Sequence, residues 1–406
     1  MIIRAPVIVT MEGELMRDGL VRVERDRIVE VTTSNIGNSS DVLSLDNHVL
    51  LPGLINAHCH LDYTCLRGKI APRESFTDWI RAINAEKAQL GENEYAESIQ
   101  QGLKEARRFG TTAIVNLEAF PELITRIQPV PLRIWWCSEL IDVSAPGETE
   151  QRVSNAVHRL QRRAAGLAPH ALFTASAELF RRCAEIACAN RWLLTTHLAE
   201  SREEMQMFRD AAGPLFDFLR AFGRDASDCG GTTPLARFLH ICPGIAQKDT
   251  TWLIAHLNEL TERDFELLRN LPEKFSIAHC PRSHVYFRHS PFPFERLHAL
   301  GFNICLGTDS LASNMDLSLF AEMRQFRQSH PQLSAAEILG MVTVNPASVL
   351  RRKSDLGKIA PGFLADMIAL PLNGSADIYE QITGFEGHVP WMMINGVEAA
   401  VPSRTG

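Results

Sequence analysis

The sequence lacks the patterns that mark several large classes of protein. Its nine cysteines are scattered and form no Cys-x-x-Cys pair, which argues against a disulfide framework and favours a reducing compartment. No long basic run occurs and acidic residues outnumber basic ones, 48 to 41, so we expect no binding to nucleic acid phosphates. The apolar stretches are only strand-sized, which predicts no membrane span. The opening MIIRAPVIVTMEGE has no secretory pattern, so we predict a cytoplasmic protein.

What is present is an ordinary globular composition. Hydrophobic residues make up 45% and charged residues 22% of the 406 positions, enough to bury a large core. A chain of this length corresponds to roughly two to three domains, or to one large barrel with an appendage.

Both ends of the chain alternate between apolar and polar residues, as β-strands do. Residues 1–52 contain stretches such as GLVRVERDRIVEVTT, and residues 355–406 contain GKIAPGFLADMIALPL and MMINGVEAAV. We therefore predict one small β-sheet module assembled from residues 1–52 and 355–406, with residues 53–354 forming a separate domain.

The middle of the chain alternates short apolar runs with amphipathic segments. This rhythm predicts the α/β class and a (β/α)₈ barrel, whereas an open doubly wound sheet would more often carry a GxGxxG turn, which is missing. The eight predicted strands are Leu54–Ala57, Thr112–Asn116, Leu132–Cys137, Leu172–Ala175, Leu193–Thr196, Trp252–Ala255, Phe275–Ala278 and Asn303–Leu306.

Histidines and one aspartate stand at the ends of these runs. A lone histidine there is usually a buried core residue, but several at once are hard to obtain by chance. Because the carboxyl ends of barrel strands meet on one face, we expect these side chains to converge. Imidazoles with one carboxylate suit Zn²⁺ and also Fe²⁺ or Mn²⁺. The residues are His58 and His60, His197, His256, His279 and Asp309.

These residues lie in motifs that resemble the amidohydrolase superfamily. The motifs are LPGLINAHCHLD, HLAE, LIAH, HCPRS and LGTDS, in that order along the chain. The resemblance is to the branch that contains cytosine, guanine, aminofutalosine and S-adenosylhomocysteine deaminases and the triazine chlorohydrolases. It implies a distorted (β/α)₈ barrel with a small β-sandwich built from both termini.

The resemblance also implies a ligand set. His58, His60, His197 and Asp309 match the family's metal ligands. Members with two metals carry a lysine at the end of strand four, and the predicted strand LFTASAEL has none. We therefore expect one divalent ion, with zinc favoured and iron open.

Three residues match the family's catalytic positions. Glu200 corresponds to the acid that shuttles protons, although an acid before Ser201 also fits an ordinary helix start. His256 corresponds to the histidine that holds the attacking water, and Asp309 would accept that water's proton.

Substrate contacts are predicted from the loops after the strands. For several of these positions an equally good reading is a core aromatic, a loop cap or a solvated arginine. The candidates are Arg67, Phe76, Trp79, His170, His279, Ser283, His284 and His289, with Arg282 or Arg288 for an anionic substrate arm.

The predicted function is hydrolytic deamination of the 6-aminopurine of a nucleoside such as aminodeoxyfutalosine, which would belong to menaquinone biosynthesis. The alternatives are S-adenosylhomocysteine or methylthioadenosine deamination, guanine deamination, a chlorohydrolase or other C–N hydrolase, and a barrel that only binds its ligand. Barrels of this size are commonly dimers, so a homodimer is open, although no interface pattern is visible.

Overall fold

The described strands belong to two β-sheets. The computed structural model describes residues 1–34, 42–161, 163–242 and 251–399. The first sheet draws on both ends of the described chain. Its strands are β1 (Ile2–Ile8), β2 (Met16–Glu24), β3 (Arg27–Thr32), β4 (Val42–Ser44), β5 (His48–Pro52), β15 (Met367–Pro371), β16 (Trp391–Ile394) and β17 (Val397–Glu398).

This terminal sheet joins the two ends through one strand pair. Its order is β17-β16-β15-β5-β1-β2-β3, with β4 beside β1, and β15 runs antiparallel to β5 with Met367 opposite Pro52. The predicted β-structure from both termini is therefore confirmed. The domain limits at 52/53 and 354/355 stay a prediction, and residues 400–406 of that predicted domain lie outside the described residues.

The second sheet is the predicted barrel. Its neighbouring strands are all parallel, and the last one pairs back to the first, which closes the (β/α)₈ ring and confirms the predicted fold. The strands are β6 (Leu54–His60), β7 (Thr111–Glu118), β8 (Arg133–Leu140), β9 (Ala165–Pro169), β10 (Leu193–Leu198), β11 (Thr251–His256), β12 (Ser276–His279), β13 (Asn303–Leu306) and β14 (Asp309–Ser310).

Helices and short 3₁₀ turns connect the strands. None of the described helices is long and apolar enough to cross a membrane. The helices are α1 (Phe76–Lys87), α2 (Glu92–Arg108), α3 (Thr149–Leu160), α4 (Ala177–Asn190), α5 (Arg202–Asp210), α6 (Pro214–Ala221), α7 (Pro234–Ile241), α8 (Glu262–Arg269), α9 (Pro281–Phe287), α10 (Phe294–Ala299), α11 (Leu319–Ser329), α12 (Ala335–Gly340), α13 (Val344–Val349) and α14 (Ile378–Thr383).

Closure of the barrel depends on a glycine. A Cβ atom at Gly307 would lie 2.7 Å from the Cβ and the carbonyl oxygen of His58, so any larger residue would push β13 away from β6. The Thr308 amide donates to the His58 carbonyl at 3.0 Å, and the Asn56 side-chain amide donates to the Thr308 hydroxyl at 2.8 Å. These contacts bring Asp309 next to the histidines of β6.

The predicted position of the fourth strand is wrong. The strand is β9, Ala165–Pro169, whereas the predicted segment Leu172–Ala175 forms a turn in which the amides of Thr174 and Ala175 donate to the Ala171 carbonyl. The physical reason is size: a Cβ at Gly166 would lie 2.6 Å from Cys137 Sγ, so this strand needs small residues and lacks a bulky apolar run. The corrected strand also contains no lysine.

Candidate active site

Three histidines meet at the carboxyl ends of β6 and β10. His58 and His60 lie two residues apart on β6, so both side chains point to the same side of the strand. His60 Nε2 lies 3.2 Å from Nε2 of His197, which stands on β10. The ligand atoms of the three residues all lie within 4.8 Å of one another, and all three residues are buried.

His256 and Asp309 complete this group. The His256 ring centroid lies 5.6 Å from that of His58 and 5.3 Å from that of His197. Asp309 Oδ1 lies 3.7 Å from His58 Nε2 and 3.8 Å from His60 Nε2. The structure therefore brings together all five residues of the predicted metal and catalytic centre that stand at strand ends.

Two of these residues have an unusual backbone. His256 has φ of 72° and Asp309 has φ of 56°, both in the left-handed region that side chains disfavour. Such conformations cost about 1–3 kcal/mol each and persist where the surroundings enforce them, which is typical of functional sites.

The centre fits a metal ion by the chemistry of its donors. Both ring nitrogens of His58 and Nδ1 of His60 are buried without a hydrogen-bond partner, as is Nε2 of His256. Burial lowers the pKa of His60 well below its ordinary value and that of His197 to about 4, so both imidazoles are neutral at pH 7 and offer lone pairs. Neutral imidazoles beside a carboxylate form the N/O donor set that a divalent cation binds.

Asp309 is held as a carboxylate. Burial by itself raises the pKa of this group, but the surrounding histidines His58, His256 and His60 hold it well below its ordinary value. The Ser283 hydroxyl donates to Oδ2 at 2.6 Å, and the Ser310 amide donates to Oδ1 at 2.8 Å. Asp309 is therefore fixed in orientation and ionised, as a metal ligand or a proton acceptor must be.

The carboxyl group of Glu200, in contrast to that of Asp309, has a raised pKa. It follows β10 and directly precedes Ser201, whose side chain caps α5, so it stands at a helix start and is also buried, with 6% of its surface exposed. Burial raises the pKa of its carboxyl well above the ordinary value, and the charge of Asp309 raises it further. Its Oε1 lies 3.7 Å from His256 Nε2. A buried carboxyl group with a raised pKa holds its proton more readily than a free one and can act as an acid.

Sequence reasoning missed Glu139. This residue lies near the carboxyl end of β8, and its Oε1 lies 3.9 Å from His60 Nδ1. Burial raises its pKa to about 8. Glu139, His170 and His197 form a second set of ligand atoms close enough to hold an ion, although His197 belongs to both sets. An acid after the apolar run Leu132–Cys137 was the available signal.

A cavity of about 350 Å³ opens above this centre, within the range of about 300–1,000 Å³ that is usual for small-molecule sites. Its floor is polar and its wall is mainly aromatic and aliphatic. The floor residues include His60, Glu139, His170, His197, Glu200, His256 and Asp309, and the wall includes Phe76, Trp79, Ile83, Phe218, Phe222 and Phe287.

Three of the predicted substrate contacts line the cavity. Phe76 and Trp79 stand on α1 with ring centroids 6.0 Å apart, and Trp79 packs edge-on against Phe287 at 4.8 Å. His170 follows β9, and its Nδ1 lies 2.6 Å from the Thr174 hydroxyl. That these residues bind the substrate stays a prediction.

The other residues predicted to contact the substrate do not belong to the described lining of the cavity. The guanidinium of Arg67 pairs with Glu105, and His279 stacks on Phe292 with ring centroids 4.0 Å apart. His284 Nδ1 lies 3.2 Å from the side-chain oxygen of Asn258.

The remaining candidates have other partners or positions as well. Ser283 donates to Asp309, as described above. Arg282 pairs with Asp316 at 2.6 Å, and Arg288 ends α9 at the surface. The sequence shows that these polar residues follow a strand, but it does not show where each side chain points.

A closed parallel barrel with buried histidines and an aspartate at its carboxyl ends defines a metal-dependent barrel hydrolase. The chain belongs to the amidohydrolase family, whose model, described as "Amidohydrolase family", matches residues 49–397.

The chain is also similar in sequence to curated relatives and in fold to solved structures. The chain is 28% identical over 376 residues to the 5-methylthioadenosine/S-adenosylhomocysteine deaminase of Thermococcus onnurineus (strain NA1), covering 87% of this chain and 81% of the relative. The fold is similar to that of Helicobacter pylori aminofutalosine deaminase in complex with methylthio-coformycin (TM-score 0.87, 21% identity, 98% of this chain and 100% of that one). It is also similar to a zinc-bound adenosine deaminase from Xanthomonas campestris (TM-score 0.82, 23% identity, 98% and 92% covered).

Proposed function

We propose that this protein removes the amino group of an adenine nucleoside by metal-dependent hydrolysis. The observation that carries the proposal is the position of the buried Glu200 carboxyl, which lies 3.7 Å from His256 at the floor of the cavity and whose pKa burial raises well above its ordinary value. A barrel that only binds a ligand has no need of a protonated acid beside its metal ligands.

The proposed site binds one divalent ion, with zinc favoured. Its ligands are His58, His60, His197 and Asp309. Such an ion would supply a nucleophile at neutral pH, because a divalent metal lowers the pKa of a bound water to about 7. Iron remains the alternative that the same donor set allows.

Three residues carry out or support the proton transfers of the reaction. Glu200 gives its proton to the ring nitrogen next to the amino-bearing carbon, which makes that carbon open to attack. Asp309, held ionised by the histidines around it, accepts one proton of the attacking water and passes it to the departing amino group, which leaves as ammonia. The second proton of the water, released as the carbonyl forms, returns to the Glu200 carboxylate, so the acid is restored in each turnover. His256 faces both residues and orients the water.

The apolar wall of the cavity favours an adenine nucleoside with an apolar or aromatic 5′ substituent. Phe76, Trp79 and Phe287 offer ring faces and edges for stacking, as aromatic side chains commonly do with bases. The relative named for methylthioadenosine and S-adenosylhomocysteine supports the same substrate class. The proposal includes aminodeoxyfutalosine as a candidate substrate, which would give the protein a role in menaquinone biosynthesis. The cytoplasmic location and the homodimer stay predictions.

The test is a panel of substrates with metal-loaded protein. The panel contains aminodeoxyfutalosine, 5′-methylthioadenosine, S-adenosylhomocysteine, adenosine, guanine and a chlorotriazine. We expect ammonia release and loss of absorbance near the adenine maximum with at least one 5′-substituted nucleoside. Turnover of the chlorotriazine alone, or none across the panel, contradicts the proposal.

Glu200→Gln is the matched variant for this assay. The amide keeps the size of the side chain but has no acidic proton, so we expect kcat to fall by about 10²–10⁴-fold. The metal content, measured by elemental analysis, should remain near that of the wild type because Glu200 is not a proposed ligand. Unchanged turnover would show that Glu200 is not the acid.

A further inference from the structure

One ring nitrogen of the proposed metal ligand His60 is buried and points away from the other ligands. Its Nε2 faces the centre of the site, 3.2 Å from Nε2 of His197 and 3.8 Å from Oδ1 of Asp309. Its Nδ1 has no hydrogen-bond partner among the described residues. A neutral imidazole carries one proton, and the nitrogen that binds a cation must be the one without it. The proton of His60 therefore belongs on Nδ1 when Nε2 binds the ion.

The carboxyl group of Glu139 offers a matching acceptor. Its Oε1 is also buried without a hydrogen-bond partner in the described part of the chain, and it lies 3.9 Å from His60 Nδ1. The two side chains are 6% and 5% exposed, so bulk water does not serve either atom. A buried N–H that has lost its water and gained no acceptor is unfavourable. Two unsatisfied atoms of opposite kind thus face each other beside the metal ligands.

Ring packing keeps His60 in this orientation. Its ring stacks on Tyr63 and on His197, with centroids 5.9 and 5.2 Å away and interplanar angles of 14° and 18°. The Tyr63 hydroxyl in turn accepts a hydrogen bond from the Lys87 ammonium at 2.7 Å. A turn of the His60 ring would break both stacking contacts, so Nδ1 stays directed toward Glu139.

His197 already shows the arrangement that His60 lacks. Its Nδ1 lies 3.0 Å from the carbonyl oxygen of His170, which can only accept, so Nδ1 carries the proton and Nε2 the lone pair. Ligand histidines usually donate their second N–H to a carboxylate, a carbonyl or water, which fixes the ring and makes it a better ligand. With Nδ1 used in this way, His197 has no nitrogen left for a second ion beside Glu139. Glu139 is therefore better placed to serve His60 than to hold an ion of its own.

We propose that Glu139 is a positioning residue for the metal ligand His60, whose Nδ1–H donates to the Glu139 carboxyl group when a cation binds at Nε2. The separation of 3.9 Å is longer than a hydrogen bond. We expect it to shorten on cation binding, because a bound cation polarises the ring and makes its N–H a stronger donor. An oxygen of Glu139 can accept in either charge state of the carboxyl group. This inference rests on the metal site of the proposed function.

The first test measures zinc affinity by competition with a coloured chelator of known affinity. Glu139→Leu removes the acceptor and keeps much of the side-chain volume. We expect its zinc dissociation constant to rise by about 10–100-fold, the usual effect of losing such a partner. Glu139→Gln should lose clearly less, because its amide oxygen still accepts. Wild-type affinity in Glu139→Leu would overturn the inference. Equal losses in both variants would overturn it too, since charge rather than an acceptor would then matter.

Asp142→Asn is the matched control. Asp142 is also buried and lies three residues beyond Glu139, but its oxygens accept from Ser176 and Thr149 and face no proposed ligand. The variant should lower thermal stability and leave zinc affinity unchanged. If it weakens zinc binding as much as Glu139→Leu does, the effect comes from the segment and not from the contact with His60, and the inference fails.

A spectroscopic measurement tests the hydrogen bond itself. In zinc-loaded protein with ¹⁵N-labelled histidine, one imidazole N–H resonance should move upfield in Glu139→Leu, because its proton has lost an acceptor. The N–H resonance of His197 should stay in place, since the His170 carbonyl still accepts its proton. Identical imidazole N–H spectra in the two proteins would refute the contact. Two zinc ions per wild-type chain and one in Glu139→Leu would also refute it, because Glu139 would then be a ligand.

These measurements separate the inference from the proposed function, because none of them requires turnover. If the zinc-loaded wild type deaminates no nucleoside, the proposed reaction fails, while zinc affinity and the N–H spectra still decide whether Glu139 acts on His60. If deamination occurs and Glu139→Leu binds zinc as the wild type does, only the inference fails. A wild type that binds no divalent ion would refute the metal site and the inference together.

Discussion

Single residues acquire their chemistry here by being buried. The same loss of water lowers the pKa of His60 and His197 and raises that of Glu200. Both effects favour the neutral form, but with opposite consequences: a neutral imidazole offers a lone pair to a cation, while a neutral carboxyl offers a proton. Asp309 is the exception, because the histidines around it keep it ionised.

One prediction at this scale concerns Ser283, which the sequence assigned to the substrate and the structure assigns to Asp309. Its hydroxyl donates to Asp309 Oδ2 at 2.6 Å. A hydrogen bond to a charged group contributes about 1.5–3 kcal/mol, so Ser283→Ala should lower kcat by about tenfold or more with little change in KM. Steady-state kinetics measure this.

The control for this variant is Ser329→Ala, an exposed serine at the end of α11, which should leave both constants unchanged. A rise in KM with kcat preserved would instead show that Ser283 contacts the substrate.

At the scale of elements, the aromatic wall of the cavity depends on the position of α1. Ser75 caps this helix through the Asp78 amide at 3.2 Å. A second cap comes from Glu203 on α5, whose carboxylate accepts the amides of Phe76 and Thr77, each at 3.0 Å. An acid at a helix N-terminus stabilises the unpaired amides and the helix dipole. This contact joins two distant parts of the sequence at the cavity.

We expect Glu203→Ala to loosen this junction. The lost cap should lower stability by about 1 kcal/mol. KM should rise more than kcat falls, because α1 carries Phe76 and Trp79 but no proposed catalytic group. Thermal unfolding and steady-state kinetics check both effects.

Glu178→Ala removes a first-turn acid of α4 that pairs with Arg181 on the surface. It should leave KM unchanged. If Glu203→Ala also leaves KM unchanged, α1 keeps its position without this cap.

At the scale of the whole molecule, one cluster of buried hydrophobic side chains spans the barrel and the terminal sheet. The largest cluster of buried side chains contains Leu51 of β5 and Ile368 of β15 together with Leu54 of β6 and Ile114 of β7. A buried ion pair adds to this junction: Arg133 at the start of β8 donates to Asp366, just before β15, at 2.5 and 3.1 Å. The junction lies at the amino ends of the barrel strands, opposite the active site.

Breaking this pair should therefore affect stability rather than catalysis. Arg133→Met leaves the buried Asp366 carboxylate without its cation, and we expect a loss of about 3–5 kcal/mol, seen as a lower urea midpoint. Adding Asp366→Leu should recover most of it, because the unpaired charge is then gone.

Arg159→Met, at an exposed position of α3, is the control and should be neutral. A change in KM for Arg133→Met at low urea would contradict the separation of this junction from the active site.

Much of the fold was predictable because each barrel strand has a local signal. Seven of the eight predicted runs fall within or overlap a strand of the barrel. The fourth failed because β9 is built from small residues chosen for close packing against Cys137, and a bulky apolar run nearby gave a stronger signal. Glu139 was missed for a related reason, since only the folded chain shows what a strand-end side chain faces.

By itself, the sequence determined the family, the barrel and the convergence of His58, His60, His197 and Asp309, because parallel strands necessarily bring their carboxyl ends to one face. Only the tertiary structure decided which polar residues reach the cavity and which serve other side chains. That choice depends on side-chain direction and on the water excluded by packing, as with Arg67 held by Glu105 and Ser283 held by Asp309. Neither side-chain direction nor the exclusion of water can be inferred from the spacing of residues along the chain.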